Sequence, residues 1–155
     1  MSIPKEATGK TEIAPELEDY LAALHEIVAA YHQRLTEVTS SKVANQLLAN
    51  ISDMVTKRLS SGEEPGMGMR VVKDLMGKLG LELETVNVGD YVICKVSCPF
   101  ASKIHPHLTT PNPVCPISIL VLGAMRQTNK TQQITKTTFT ETGSEFEVQS
   151  VPQQP

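Results

Sequence analysis

The sequence predicts an α+β domain in which N-terminal helices pack on an antiparallel sheet of two hairpins, with a buried helix between the hairpins. Three observations carry this expectation. Apolar residues recur at helical spacing from Leu17 to Leu79. The period then changes to strict alternation at Leu81-Glu82-Leu83-Glu84. Between two such alternating regions, Val114 to Met125 is apolar on every side, as a helix enclosed by other elements would be.

The elements follow in order. Leu17, Leu21, Leu24, Ile27 or Val28, Tyr31 and Leu35 form one stripe, and Pro15 suits a first helical turn. Glu16, Glu18 and Asp19 favour the positive end of that helix, which is expected over Pro15 to Val38. Thr39-Ser40-Ser41 breaks it and caps a second helix striped by Val43, Leu47, Ile51, Met54 or Val55 and Leu59. Glu63-Glu64-Pro65-Gly66 reads as a loop. Met69 to Leu79 is a third helix stopped by Gly80. Gly89-Asp90 turns a first hairpin that ends near Cys98. Pro99 to Pro116 holds five prolines and is expected to form little regular structure. A second hairpin takes Thr131 to Thr142 and Glu145 to Ser150, with Gly143-Ser144 as its turn. Residues 1–12 and 151–155 read as flexible ends of a single domain over 13–150.

Composition limits the function. Fourteen Lys and Arg against 17 Asp and Glu give a net charge of −3, and aromatic residues make up 4%. Neither a basic surface for phosphates nor a stacking platform for bases is present, so nucleic-acid binding is not expected. No leader-like N-terminus and no membrane-length apolar run occur, so the expected compartment is the cytoplasm. Cysteines there are reduced, and serve as metal ligands, redox groups or core residues.

The richest chemistry lies in the proline segment. Cys98, His105, His107 and Cys115 are two of the three cysteines and two of the four histidines, gathered in one stiffened excursion. Two thiols and two imidazoles are a standard ligand set for zinc, and an iron–sulfur cluster would also accept thiolates. In an extended segment His105 and His107 would point the same way. The zinc-finger spacings are absent, so a redox thiol pair and plain packing stand beside the metal reading. Cys94 shares a strand face with Cys98, ~13 Å away if the strand continues. His25 and His32 fall on one helical face and read as surface or interface residues. Gly62 to Gly68 lacks the lysine of a phosphate loop, and Met67, Met69 and Met76 read as adaptable core. No nucleophile elbow or catalytic triad pattern appears.

The segments Val96-Ser97-Cys98-Pro99-Phe100-Ala101, Val114-Cys115-Pro116 to Gly123-Ala124, and Thr140-Glu141-Thr142-Gly143-Ser144-Glu145-Phe146-Glu147-Val148 together resemble the 4-vinyl-reductase domain family. The resemblance covers about Met67 to Ser150. It implies an α+β fold similar to heme–nitric-oxide-binding domains and to small subunits of vesicle-tethering complexes. It also implies small-molecule or redox sensing, with other members working in tetrapyrrole biosynthesis. Sensors of this kind often hold zinc near the last hairpin through cysteines and a glutamate. Here those cysteine positions fall near Phe139 and Glu147, so only Cys98 and Cys115 carry over, as the pair flanking the loop.

The resulting expectation is a non-catalytic small-molecule, metal or redox sensing domain with an apolar core pocket and a Cys/His/Pro-rich loop. Its alternative is an accessory subunit of a larger redox or cofactor-handling complex. Surplus apolar surface with Ala22, Ala23, Ala29 and Ala30 on the first helix points to a homodimer or a partner protein bound through the N-terminal helices.

Overall fold

The computed structural model describes residues 15–59, 68–99, 101–109 and 114–151. Three helices, α1 (Pro15–Val38), α2 (Ser41–Leu59) and α3 (Gly68–Lys78), precede the hairpin β1 (Glu82–Val88) and β2 (Tyr91–Ser97). A short helix, α4 (Ala101–Ile104), runs into a 3-10 turn over His105–His107. Helix α5 (Pro116–Arg126) and the hairpin β3 (Gln132–Phe139) and β4 (Gly143–Ser150) complete the order. This is the α+β arrangement the periodicities predict. The 62–66 loop, Met67, residues 1–12 and the end of the tail lie outside the described residues.

Local chemistry sets the boundaries. Ser40 caps α2, its Oγ accepting from the Val43 N–H at 3.2 Å. Gly80, at φ 74°, ends α3 while the Leu81 N–H reaches back to the Met76 carbonyl at 2.9 Å. Gly89, at φ 56°, turns the first hairpin. The second hairpin turns earlier than expected. Thr140 N–H bonds the Gly143 carbonyl at 2.9 Å, and Gly143 and Ser144 already belong to β4. Glycine is required at 143 for a different reason, because a Cβ there would collide with the Val96 carbonyl of β2.

The sheet order is β1-β2-β4-β3, antiparallel throughout. Its inner face carries Cys94 and Val96 from β2, Ser144, Phe146 and Val148 from β4, and Ile134 from β3. Helices α2, α3 and α5 cover that face, and α1 lies across α2 and α4. Helices α2 and α5 approach closely, since Gly123 of α5 sits against the Ser52 carbonyl and Thr56. At one end of α5, the buried Arg126 meets Asp53 through Nε at 2.9 Å and Nη2 at 3.1 Å, and donates to the Gln132 carbonyl at 2.7 Å. That fork joins α2, α5 and β3.

The stripe of α2 faces mostly outward, and that of α1 divides, with Leu21 and Val28 packed against the core and Leu17, Leu24, Ile27 and Tyr31 exposed. Helix α2 buries Ala44, Leu48, Ala49, Ser52 and Thr56, while Val43, Leu47, Ile51, Met54 and Leu59 are exposed. Close packing on α5 selects small residues for the inner face, so the large apolar side chains of α2 are left outside. On α1, the buried residues are His25 and Ala29, with Leu21, Ala22 and Val28 half-buried against the core. Among the described residues, no helix is long and apolar enough to cross a membrane.

Candidate functional site: a buried thiol pair under the proline segment

Cys98 and Cys115 sit where regular structure meets the proline segment. Cys98 directly follows β2, and its N–H bonds the Thr142 carbonyl at 2.8 Å. Its side chain continues the inner face of Cys94 and Val96 and is 8% exposed. Val96 pairs with Ser144 of β4, which places Ser144 beside Cys98 on that face. Cys115 caps α5 with extended backbone at φ −79° and ψ 125°, ahead of Pro116 at the first helical position. Its thiol is 1% exposed and lies against the Ser144 hydroxyl and the N–H groups of Ile117 and Ser118.

Ser144 thus lies beside the Cys115 sulfur, on the strand paired with the end of β2 that leads into Cys98. Its hydroxyl is buried and, beside a protonated Cys115, has no hydrogen-bond partner among the described residues. Beside a thiolate or a metal-bound sulfur it would donate, together with the two N–H groups at the α5 N-terminus. Burial opposes that state. It pushes the Cys98 thiol up to about 12, with the neighbouring Cys115 adding to the shift. Burial likewise pushes Cys115 up, against the Ser144 and backbone donors. Both groups are thus neutral thiols at rest, and the donors lie beside Cys115, where the Ser118 N–H also bonds the Cys115 carbonyl at 3.0 Å. Cys94 is buried one step deeper on the same face, and desolvation raises it to about 11.

The histidines take other places. The backbone over Ala101–Ile104 and His105–His107 is helical, not the extended segment expected there. His105 donates from Nδ1 to the Thr140 carbonyl at 2.9 Å and stacks on Phe139, with ring centroids 4.3 Å apart and planes 7° from parallel. The side chain of His107 lies outside the described residues. Among the described residues, no three His, Cys, Asp or Glu side chains converge as a metal-binding group. The four-ligand centre expected for zinc or an iron–sulfur cluster is not brought together by the residues described.

Sequence reasoning missed His25. Far from being a surface residue, it is 2% exposed, donates from Nδ1 to the Leu21 carbonyl at 2.7 Å, and lies 6.2 Å from the His105 ring. Burial holds its pKa below the ordinary 6.5, and proximity to His105 adds to the effect. His32 is half-buried and meets Asn45 Oδ1 at 3.2 Å. The proline segment also grips α1 directly. Lys103 Nζ meets Glu18 at 2.7 Å, and Thr109 donates to the Glu26 carboxylate from its hydroxyl at 2.7 Å and its N–H at 3.1 Å. The only sequence signal for this docking was charge spacing, which is too common to single out a pair.

Two further concavities flank the helices. A surface cleft of about 460 Å³ opens between the α1–α2 pair and β3, lined by His32, Thr36, Asn45, Leu48, Ile134 and Lys136. An apolar notch of about 180 Å³ lies between α1 and α2, bounded by Ile27, Tyr31, Leu35, Leu48 and Ile51. No protein-family model matches the chain, and no curated protein or solved structure matches it either.

Proposed function

We propose that the chain is a non-catalytic binding and sensing domain of the cytoplasm whose receptor is the Cys98–Cys115 thiol pair and whose ligand is a soft metal ion such as monovalent copper. The observation that carries this reading is the Ser144 hydroxyl, buried beside neutral Cys115 without a partner among the described residues and able to donate to a metal-bound sulfur there. Thiolate ligands select soft ions, and a pair of sulfurs that no third His, Cys, Asp or Glu joins among the described residues suits a two-coordinate ion better than tetrahedral zinc. Binding expels two protons from thiols whose ionisation burial opposes, so only an ion with high sulfur affinity overcomes that cost. The resemblance of the Cys98 and Cys115 segments to the 4-vinyl-reductase family agrees with a sensing role for this pair.

The second half of the reading is association. The exposed apolar faces of α1 and α2 support a chain that works as a homodimer or bound to a partner, and Glu18, Glu26 and His25 tie the proline segment to α1. An anaerobic titration of the reduced protein with monovalent copper, competed against a chromophoric chelator, tests the receptor. The expected result is one ion per chain, lost in Cys98→Ser and Cys115→Ser and kept in Cys94→Ser. Failure of the wild type to withdraw the ion from the chelator would overturn it. Oxidant-driven cross-linking of Cys98 to Cys115, without metal uptake, would make the pair a redox switch instead.

A further inference from the structure

Helix α1 carries two apolar patterns, and the stronger one faces solvent. Leu17, Tyr20, Leu24, Ile27, Tyr31 and Val38 are spaced alternately by three and four residues, with Arg34 completing the series. That is the 3.5-residue repeat of a coiled-coil seam rather than the broader stripe of a core helix. These six side chains are 45, 73, 48, 64, 66 and 59% exposed. Ile51 of α2 adjoins this surface across the notch it lines with Ile27 and Tyr31, and Val43, Leu47, Met54 and Leu59 of α2 are exposed as well. From their fractional exposures, the eleven side chains present roughly 1,000 Å² per chain in all, so a partner reaches the ~800 Å² of a standard stable interface only by covering both helices.

We infer that this face is covered by a second copy of the chain, with the two α1 helices antiparallel across a two-fold axis between Leu24 and Ile27. The inference rests on the proposal that the N-terminal helices carry the association surface, and it fixes the partner and the register. Antiparallel seams pair first with fourth heptad positions, which sets Leu24 against the partner's Ile27 and Tyr20 against the partner's Tyr31. In that register the two helices overlap along almost their whole length. The notch of about 180 Å³ beside Ile27, Tyr31 and Ile51 then faces the partner's Tyr20, an aromatic ring of matching size and the most exposed apolar residue of the seam. Exposed Ala23 and Ala30 flank the seam and allow close approach.

Charge selects the antiparallel direction. The first half of α1 carries Glu16, Glu18, Asp19 and Glu26 and no Lys or Arg, whereas the second half carries Arg34 and Glu37, paired with each other at 2.9 Å, and is balanced in charge. Parallel helices would stack acid on acid. The antiparallel register sets each acidic half against the partner's balanced half, with the partner's Arg34 opposite Leu17, and opposes the helix dipoles favourably.

Light scattering on the full chain at micromolar concentration gives the first test, with the mass of two chains expected. Ile27→Glu should raise the dimer dissociation constant at least a hundredfold while leaving the far-ultraviolet circular dichroism unchanged, because Ile27 is exposed in the single chain. Oxidation of Tyr20→Cys mixed with Tyr31→Cys should give the mixed cross-link, and neither variant alone should cross-link to itself. Self-cross-linking of Tyr20→Cys would overturn the antiparallel register while leaving association through α1 intact. A wild-type monomer, or a dimer that Ile27→Glu does not weaken, would overturn the second copy as occupant. None of these outcomes depends on whether Cys98 and Cys115 bind metal.

Discussion

The His105 ring lies flat on Phe139, centroids 4.3 Å apart, while its Nδ1–H is held by the Thr140 carbonyl at 2.9 Å. Both contacts pin the proline segment to the second hairpin, and neither uses His105 as a ligand. The geometry gives His105 a clamping role between the proline segment and the second hairpin.

Replacement of His105 by alanine should therefore separate clamping from coordination. His105→Ala is expected to lower stability by about 1 kcal/mol, the usual worth of an aromatic stack beyond its buried area. Its metal stoichiometry should stay that of the wild type, whereas Cys98→Ser loses the ion. Equal loss of metal in His105→Ala and Cys98→Ser would put the imidazole back among the ligands. Urea unfolding and metal analysis on the same preparations read both effects.

His25 should make stability depend on pH. Its pKa is lowered on folding, first by burial and then by His105, partly offset by the hydrogen bond to Leu21. Below its ordinary pKa of 6.5 the unfolded chain binds a proton that the folded chain refuses. The neutral His25 therefore contributes its full share above that pH, and stability falls as pH drops below it until the folded pKa is passed. Thermal unfolding from neutral to mildly acidic pH should show this slope. His25→Leu should flatten it, and an unchanged slope in that variant would assign the dependence elsewhere.

Much of the fold was legible because it rests on local chemistry. Gly80, Ser40 and the Gly89-Asp90 turn each act through their own backbone, so residue type alone locates them. The orientation of α1 and α2 was not legible in the same way. Periodicity reports that a helix has an apolar face, but it does not say which neighbour covers that face. On α2 the inward face is decided by Gly123 of α5, 70 residues from Asp53 in the chain, and close approach there favours Ala49 and Ser52 over Leu47 and Ile51. Cys98 and Cys115 could be singled out because they bracket the prolines. Ser144, beside Cys115, could not, because it reads as a turn residue until strand register places it opposite Val96.

The thiols should be slow to react in the folded protein. With Cys98 pushed to about 12 and Cys94 to about 11 from 9.0, thiolate is scarce at mildly alkaline pH, and burial blocks access as well. Iodoacetamide at pH ~8 is expected to label all three cysteines quickly in urea and at least a hundredfold more slowly in buffer. The same shifts destabilise the fold at high pH. Their contribution is complete below 9.0 and is lost as pH rises toward about 12, because the unfolded thiols release protons first. Rapid labelling of Cys98 in the native state would show that the proline segment opens faster than its contacts to Glu18, Glu26 and Phe139 imply.

Gly123 should be the least tolerant small residue of α5. A Cβ built there collides with the Ser52 carbonyl and with Thr56 Oγ1, both on α2. The hydroxyl could turn aside, but the carbonyl belongs to helical backbone and cannot. Gly123→Ala must therefore push α2 away from α5, although alanine is the better helix former by about 1 kcal/mol. Overpacking of this kind typically costs 1–3 kcal/mol, and separation of the helices would also strain the Arg126 fork to Asp53. A net loss of about 2 kcal/mol is expected in urea unfolding. Gly77, on the exposed side of α3, supplies the control, because nothing stands within 4 Å of a Cβ there. Gly77→Ala should be neutral or stabilising by up to about 1 kcal/mol from helix propensity alone. If Gly123→Ala behaves like Gly77→Ala, the close contact between α2 and α5 is wrong, and with it the reason that the large apolar residues of α2 face outward.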